Sequence, residues 1–190
     1  MQTQNTLLVF ATEMEKKGVF PNEIPQKYDC LVTGIGILSA AFSLSKAFQK
    51  QNYKSAIQIG IAGAYKSSGL SLGDLVEVKS DCLIEFLPWE PNTFFASGTL
   101  PGIMEAEITP VKGATVFSCS ETTEMEEARG DLAQVETMEG AAFFAACKEY
   151  NVEAVQIRAI SNYATKYEKE EWKTEDALKK LRDFILPILG

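Results

Sequence analysis

The stretch Val135-Glu136-Thr137-Met138-Glu139-Gly140-Ala141-Ala142-Phe143-Phe144 decides the fold, together with the strand-like run Val155-Gln156-Ile157-Arg158-Ala159-Ile160-Ser161-Asn162-Tyr163 that follows it. The small residues after Glu139 predict a tightly packed helix that begins at this residue, where the helix dipole favours an ionised carboxylate. Arg158 lies in an apolar run, so its guanidinium needs a carboxylate partner, and Glu139 is the nearest candidate in the sequence. These groups, with the carboxamide of Asn162, lie on neighbouring elements and suit a nucleoside site. The alternative is a helix cap with a structural ion pair.

Upstream of this segment the chain alternates short apolar runs with a helical pattern. The runs 6–11 and 30–33 predict buried strands, and 55–60 repeats the same signal. Apolar residues within 37–50 recur at the spacing of one helical face, and 73–78 begins another extended segment. This order predicts an α/β sheet with helices on both faces.

The middle of the chain, over residues 85–113, predicts a long aromatic loop because four prolines interrupt it. Its aromatic residues Trp89, Phe94 and Phe95 can line a substrate pocket, or they can bury the loop or an oligomer interface. The rest of the chain predicts one strand and three helices, over 111–118, 123–133, 139–150 and 174–189. Thr174 is the predicted N-cap of the last helix.

Composition limits both the organisation and the partners of the chain. With 190 residues and 46% hydrophobic content, it can bury one substantial core, which predicts a single domain over 1–190. The net charge of -8 argues against binding to a nucleic-acid backbone. The start of the chain lacks a basic region, and no apolar run approaches the roughly 18 residues of a membrane span, so we expect a cytoplasmic protein with no membrane partner.

The titratable residues limit the chemistry. The four cysteines are widely spaced, and the chain contains no histidine, so we expect reduced thiols and no metal site. Catalysis that depends on histidine is excluded as well, which leaves acid–base work to carboxylates, lysine, tyrosine or cysteine.

Two glycine turns and one acidic residue follow predicted strands. Gly34-Ile35-Gly36 lacks the third glycine of a dinucleotide fingerprint, and a strand-to-helix turn explains it. The turn over 60–64 brings backbone close to either a packed helix or a ligand. Glu15 follows the first strand, at the end of the sheet where ligands bind in open α/β folds. It can be a catalytic base, or it can be an acid in the first turn of an exposed helix.

Taken together, the segments resemble the superfamily of purine nucleoside phosphorylases and nucleosidases, and within it the futalosine hydrolase branch. The motifs around Glu139 and Asn162 carry this resemblance, supported by Ile59-Gly60-Ile61-Ala62-Gly63-Ala64 and Leu72-Gly73-Asp74. The resemblance implies a three-layer α/β/α fold of the phosphorylase type with a mixed central sheet.

The resemblance also implies a role for each site residue. Glu15 would activate water, Glu139 would hold the ribose hydroxyls, and Met138 would pack on the sugar. Asn162 would face the purine, and Arg158 would support the catalytic site through hydrogen bonds. The remaining substrate contacts would come from Ala62, Gly63, Phe117, which is a candidate for base stacking, and Ser161.

Two departures from the relatives point to one reaction. The adenine-specific nucleosidases carry an aspartate where this chain has Asn162, whose amide N–H suits the N7/O6 edge of a 6-oxopurine such as hypoxanthine. The phosphorylases bind phosphate with arginines from the first half of the chain, whereas the first arginine here is Arg129. Water is therefore the expected nucleophile.

The resulting prediction is hydrolysis of the N-glycosidic bond of futalosine, with release of hypoxanthine, in futalosine-dependent menaquinone biosynthesis. The reaction would need no cofactor, and the resemblance implies a homo-oligomer, a dimer or larger. The alternatives are a phosphate-dependent purine nucleoside phosphorylase, an adenine-type nucleosidase acting on methylthioadenosine or aminofutalosine, and a catalytically silent nucleoside-binding subunit.

Overall fold

The chain folds into an α/β structure, given by a computed structural model that describes residues 5–84, 92–99, 108–118, 122–164 and 172–190. The elements in chain order are β1 (Thr6–Phe10), α1 (Glu13–Val19), β2 (Tyr28–Val32), α2 (Ile37–Lys50), β3 (Ser55–Ala64), β4 (Leu75–Leu83), β5 (Thr93–Phe95), β6 (Thr109–Thr115), α3 (Thr123–Gly130), β7 (Val135–Thr137), α4 (Gly140–Glu149), β8 (Glu153–Tyr163) and α5 (Thr174–Leu189). A short 3₁₀ turn, Lys66–Ser68, follows β3.

The strands form one mixed sheet. Their order is β2-β1-β3-β7-β6-β4-β5, and β8 pairs with both β3 and β4. β3 runs parallel to β1 and β8 but antiparallel to β7. β4 runs parallel to β6 and antiparallel to β8. The strands β3, β7, β6, β4 and β8 therefore close into a ring, and this brings the ends of β3, β7 and β8 together.

Helices cover both faces of the sheet, as the sequence predicts. Side chains alternate between the faces of a strand, and in β1 the residues Leu7 and Val9 join the core cluster that contains the buried residues of α2 and α4. Their neighbours Leu8 and Phe10 join the cluster that contains the buried residues of α1 and α5. The three-layer α/β/α arrangement is thereby confirmed. Among the described helices, none has the length and apolarity needed to cross a bilayer.

The predicted glycine turn over 60–64 is wrong, because β3 continues through it to Ala64. The prediction treated glycine as a residue that ends a strand. Gly60 instead lies within β3, at a position where a larger residue would not fit. A Cβ atom at Gly60 would lie 2.4 Å from Oε1 of Glu15 and 2.6 Å from Nη1 of Arg158. The glycine allows two charged side chains to approach the strand from other elements.

Two local predictions also need correction, and one short strand was not predicted. Thr174 is the first residue of α5 rather than its cap, and Lys173 in the N-cap position makes no capping side-chain hydrogen bond. Val135–Thr137 forms the separate strand β7. The segment predicted as an aromatic loop contains the short strand β5, whose pairing with β4 depends on residues distant in sequence. Trp89 of that loop lies outside the described residues.

Candidate active site

A cavity of about 650 Å³ lies where β3, β7 and β8 end and where α1, α4 and α5 begin. This size suits a small-molecule ligand. The predicted site residues that line it are Glu15, Ala62, Gly63, Met138, Glu139, Ser161 and Asn162. The fold therefore gathers into one cavity residues from four separate segments of the chain.

Glu15 is a buried carboxylate of the cavity that accepts three hydrogen bonds. It belongs to a capping box at the start of α1, in which the Thr12 hydroxyl accepts from the Glu15 backbone N–H at 3.1 Å. In return, Oε2 of Glu15 accepts from the backbone N–H of Thr12 at 2.9 Å and from its hydroxyl at 3.0 Å. Oε1 accepts from the backbone N–H of Ile61 at 3.1 Å. The side chain is only 4% exposed, so the alternative of an exposed helical acid is wrong.

Glu139 occupies the N-cap position of α4, as the sequence predicts, although its side chain does not cap the helix. Its Oε1 instead accepts a hydrogen bond of 2.8 Å from the backbone N–H of Gly36. Burial raises the pKa of Glu139 above its ordinary value, and the charge of Glu15 acts in the same sense. The charge of Arg158 and the Gly36 hydrogen bond oppose this rise in pKa.

Arg158 lies behind the cavity and does not line it. The predicted ion pair with Glu139 is wrong, because Arg158 donates from Nε to Oε1 of Gln156 at 3.0 Å and from Nη1 to the carbonyl of Ile61 at 3.4 Å. The cause is the alternation of side chains along β8, which places Gln156, two residues earlier, on the same face as Arg158. The guanidinium still acts on Glu139 through its charge. Its position supports an indirect contribution to the site.

Ser161 fixes the orientation of Asn162. The Ser161 hydroxyl donates to Oδ1 of Asn162 at 2.8 Å, and Nδ2 of Asn162 donates to the carbonyl of Tyr163 at 3.0 Å. A carboxamide nitrogen has two N–H donors. The oxygen of the amide is thus engaged within the protein, and the NH₂ end retains a second donor for a ligand.

Two proteins named futalosine hydrolase resemble the chain over most of their length. The one from Thermus thermophilus is 33% identical and spans 84% of this chain and 80% of its own length. The chain belongs to the futalosine hydrolase family. The one from Streptomyces coelicolor is 25% identical and spans 92% of this chain and 83% of its own length. Residues 104–189 also match the family model of the Phosphorylase superfamily.

Solved structures related to this family share the fold at lower identity. The 5'-methylthioadenosine/S-adenosyl homocysteine nucleosidase of Helicobacter pylori superposes with a TM-score of 0.85 at 16% identity, over 99% of this chain and 98% of its own. The futalosine hydrolase of Helicobacter pylori gives 0.80 at 16% identity, over 96% of each chain. These two structures confirm the phosphorylase-like fold. Membership of the futalosine hydrolase family confirms that the chain is an enzyme, an N-glycosyl hydrolase of the nucleosidase type.

The predicted aromatic contacts lie elsewhere. Phe117 follows the cavity residue Val116 but is not among the lining residues, and its side chain is 50% exposed. Phe94 and Phe95 line a different cavity, between β5 and the end of α4. Of the three roles that the sequence left open for Phe94, burial of the segment against the core agrees with the observed contacts.

Sequence reasoning missed two groups of cavity residues. Glu136 and Thr137 of β7 contribute to the wall. The residues 172–176, which include Trp172, form another part of it at the start of α5. The signal that could have found Glu136 is its place in the segment 135–144, two residues before the predicted site residue Met138. The wall at α5 is not predictable from local sequence, because it depends on how this helix packs on the sheet.

Proposed function

We propose that the chain hydrolyses futalosine to hypoxanthine and the free ribosyl product, with water as the nucleophile, and that it serves menaquinone biosynthesis. The observation that carries this proposal is the bond from Ser161 to Oδ1 of Asn162, which leaves an amide donor for the base. A 6-oxopurine accepts hydrogen bonds at both O6 and N7, whereas adenine places an amine at position 6. The family relatives from Thermus thermophilus and Streptomyces coelicolor support the same substrate.

Glu15 is the proposed general base. Its carboxylate is fixed by the Thr12 and Ile61 donors, so it can hold a water molecule with little loss of conformational entropy. The water oxygen attacks C1′ of the ribose as the bond from C1′ to N9 breaks, and the bonding electrons leave with the purine. Glu15 accepts the proton of the water, and the departing purine takes a proton from solvent.

Glu139 and Met138 are the proposed sugar contacts. Glu139 would accept hydrogen bonds from the 2′- and 3′-hydroxyls, and Met138, which also lines the cavity, would pack on the ring. The ribosyl centre becomes positive in the transition state, so the two carboxylates stabilise it, while the Asn162 donor stabilises the negative charge of the departing base. Arg158 supports this arrangement from behind by balancing the buried carboxylates.

The distribution of arginines favours water over phosphate. The chain has three arginines, Arg129, Arg158 and Arg182. None of them is among the described residues that line the cavity. Among the described lining residues, a phosphate nucleophile could use Lys173 or backbone N–H groups, which lack the bidentate geometry of guanidinium.

The test is to measure base release from futalosine, aminofutalosine, inosine and methylthioadenosine, each with and without phosphate. We expect hypoxanthine from futalosine in phosphate-free buffer, and one ¹⁸O atom in the ribosyl product when the reaction runs in H₂¹⁸O. Strict dependence on phosphate, with a ribosyl 1-phosphate as the product, would show that the chain is a phosphorylase and not a hydrolase. Faster turnover of aminofutalosine or methylthioadenosine than of futalosine would show that the preferred substrate is that nucleoside and not futalosine.

We also propose that residues 1–190 form one domain that works as a homo-oligomer, a dimer or larger, in the cytoplasm. The support for an oligomer is a set of exposed apolar side chains, which are Ile35 at the cavity and Leu38 and Phe42 on α2. Their spacing places Leu38 and Phe42 on one face of α2. Free thiols at Cys30, Cys82 and Cys147 fit a reducing compartment. Light scattering on the purified protein, repeated with Phe42→Glu, tests the oligomer.

A further inference from the structure

Glu136 and Asn162 lie on either side of a single glycine, Gly63. Gly63 of β3 pairs with Glu136 of β7 on one side and with Asn162 of β8 on the other. Side chains of paired residues project from the same face of a sheet. A Cβ atom at Gly63 would lie 3.1 Å from Nδ2 of Asn162 and 3.2 Å from Cγ of Glu136. The glycine therefore brings a carboxylate beside the proposed base-reading amide, and all three residues line the cavity.

Donors hold the Glu136 carboxylate in this position. Its Oε2 accepts a hydrogen bond of 3.0 Å from the hydroxyl of Tyr65 and lies 3.8 Å from Nη1 of Arg129. Arg129 in turn donates to the carbonyl of Ser118 at 3.0 Å. Glu136 is 5% exposed, and a carboxylate so buried is costly unless it is paired. The network explains how the protein keeps a carboxylate acceptor in the wall beside Asn162.

We propose that Glu136 determines base specificity, and that it accepts a hydrogen bond from N1–H of a 6-oxopurine while the one N–H of Asn162 that is not bonded to Tyr163 donates to O6. This inference rests on the proposed function. Hypoxanthine presents an acceptor at O6 and a donor at N1, side by side on one edge. Adenine reverses both, with a donor at its 6-amino group and an acceptor at N1. An amide and a carboxylate over Gly63 match the first pattern and oppose the second at both positions.

The competing role for Glu136 is purely structural, as an anchor that ties Arg129 of α3 to β7. That role predicts loss of stability upon substitution but no change in which base is preferred. The proposed role predicts a change in preference at constant stability. The two roles are separated by measuring the affinity for free bases, which requires no cleavage of a nucleoside.

The experiment measures binding of hypoxanthine, 1-methylhypoxanthine and adenine by calorimetry. We expect the wild-type protein to bind hypoxanthine at least about ten-fold more tightly than either other base, because each lacks the N1–H donor. Glu136→Gln keeps the shape of the side chain and its oxygen as an acceptor for Tyr65, which leaves an NH₂ group to face N1. We expect it to reduce the preference for hypoxanthine over adenine by about ten-fold.

The matched control is Glu77→Gln, which makes the same charge change at a carboxylate that is 9% exposed and is not among the lining residues. It should keep the wild-type preference. A Glu136→Gln variant with the same preference as this control overturns the proposal. If that variant does not fold, equal binding of hypoxanthine and 1-methylhypoxanthine to the wild-type protein overturns it as well. A shifted base preference in a protein that does not cleave futalosine would instead contradict only the proposed reaction.

Discussion

The backbone N–H of Gly36 donates a hydrogen bond of 2.8 Å to Oε1 of Glu139, across 103 positions of the sequence. Gly36 has a φ of +92° and occupies the N-cap position of α2, a conformation that strongly favours glycine. A helix N-terminus after a glycine turn is a common place for a phosphate. Here the turn binds a carboxylate of its own chain, and this gives Gly34-Ile35-Gly36 a role that needs no dinucleotide.

The first prediction concerns Glu139. Glu139→Ala removes the proposed acceptor of the ribose hydroxyls, whose hydrogen bonds strengthen as the ring flattens toward the transition state. We expect kcat/KM for futalosine to fall by about ten- to a hundred-fold, with contributions from both KM and kcat. The control is Glu149→Ala at the exposed end of the same helix. Kinetics equal to that control would leave Glu139 with only a structural role.

The second prediction concerns Glu15. Glu15→Gln preserves the shape of the side chain and one oxygen for the Ile61 or Thr12 donors, but it removes the proposed base. We expect kcat to fall by about 10²- to 10⁴-fold while nucleoside affinity changes little. Glu13→Gln, in the same turn and with a side chain 58% exposed, is the matched control. A kcat within two-fold of the control excludes Glu15 as the base.

The sequence analysis correctly predicted the secondary-structure elements that are determined by the pattern of neighbouring residues. The apolar periodicity of Ile37–Lys50 predicted α2 with its observed bounds, and the same holds for α5. The strand was predicted only as far as Gly60, and its continuation to Ala64 was missed because the reason for the glycine is distant in sequence, in the close approach of Glu15 and Arg158. Glycine in a sequence carries no sign of the side chain that will occupy the space beside it.

The candidate site residues fall into the same two groups, those that follow from the local sequence and those that depend on distant segments. Glu139 at the start of a helix and Glu15 after a strand follow from order along the chain, so the sequence alone brought them forward as candidates. The contact of Arg158 with the Ile61 carbonyl and the position of Glu136 depend on the register between strands that are far apart in sequence. A shift of one residue in either pairing would turn these side chains to the other face of the sheet.

The third prediction concerns the pH dependence of stability. Asp81 is fully buried, and its Oδ1 accepts a hydrogen bond of 2.7 Å from the Thr115 hydroxyl. Burial raises its pKa from 3.8 to about 7, although the Thr115 hydrogen bond and the charge of Arg158 oppose the rise. Between these two pKa values the folded state binds more protons than the unfolded state. The free energy of unfolding should therefore fall as pH rises through this window, by an amount of the order of a few kcal/mol.

Asp81→Asn removes this titration, so the stability of the variant relative to the wild-type protein should increase from pH 4 to pH 8. Denaturant unfolding at each pH measures the difference. A smaller fall with pH should remain in the variant, because the pKa of Glu139 is raised as well. Asp131→Asn, at an exposed position, should leave the slope unchanged. Parallel stability curves for Asp81→Asn and the wild-type protein would contradict the assignment.

The last prediction concerns Asn162. In Asn162→Asp, the Ser161 hydroxyl can still donate to one side-chain oxygen, but the second oxygen replaces the NH₂ group that donates to the Tyr163 carbonyl. This oxygen would face O6 of hypoxanthine as an acceptor facing an acceptor, so futalosine turnover should fall. A lost donor in a buried site costs about 1–3 kcal/mol, which corresponds to about ten-fold or more.

The same substitution should raise the relative activity on the 6-amino analogue of futalosine. The new carboxyl accepts from an exocyclic amine, and Glu136 beside it favours the protonated form, which can donate to N7. The measurement is kcat/KM for futalosine and for its 6-amino analogue in both proteins. We expect the ratio of the two to shift by about ten-fold or more toward the amine. An unchanged ratio would show that Asn162 does not contact the base. The substitution replaces a donor by an acceptor, so a direct contact would affect the 6-oxo and the 6-amino substrates in opposite directions.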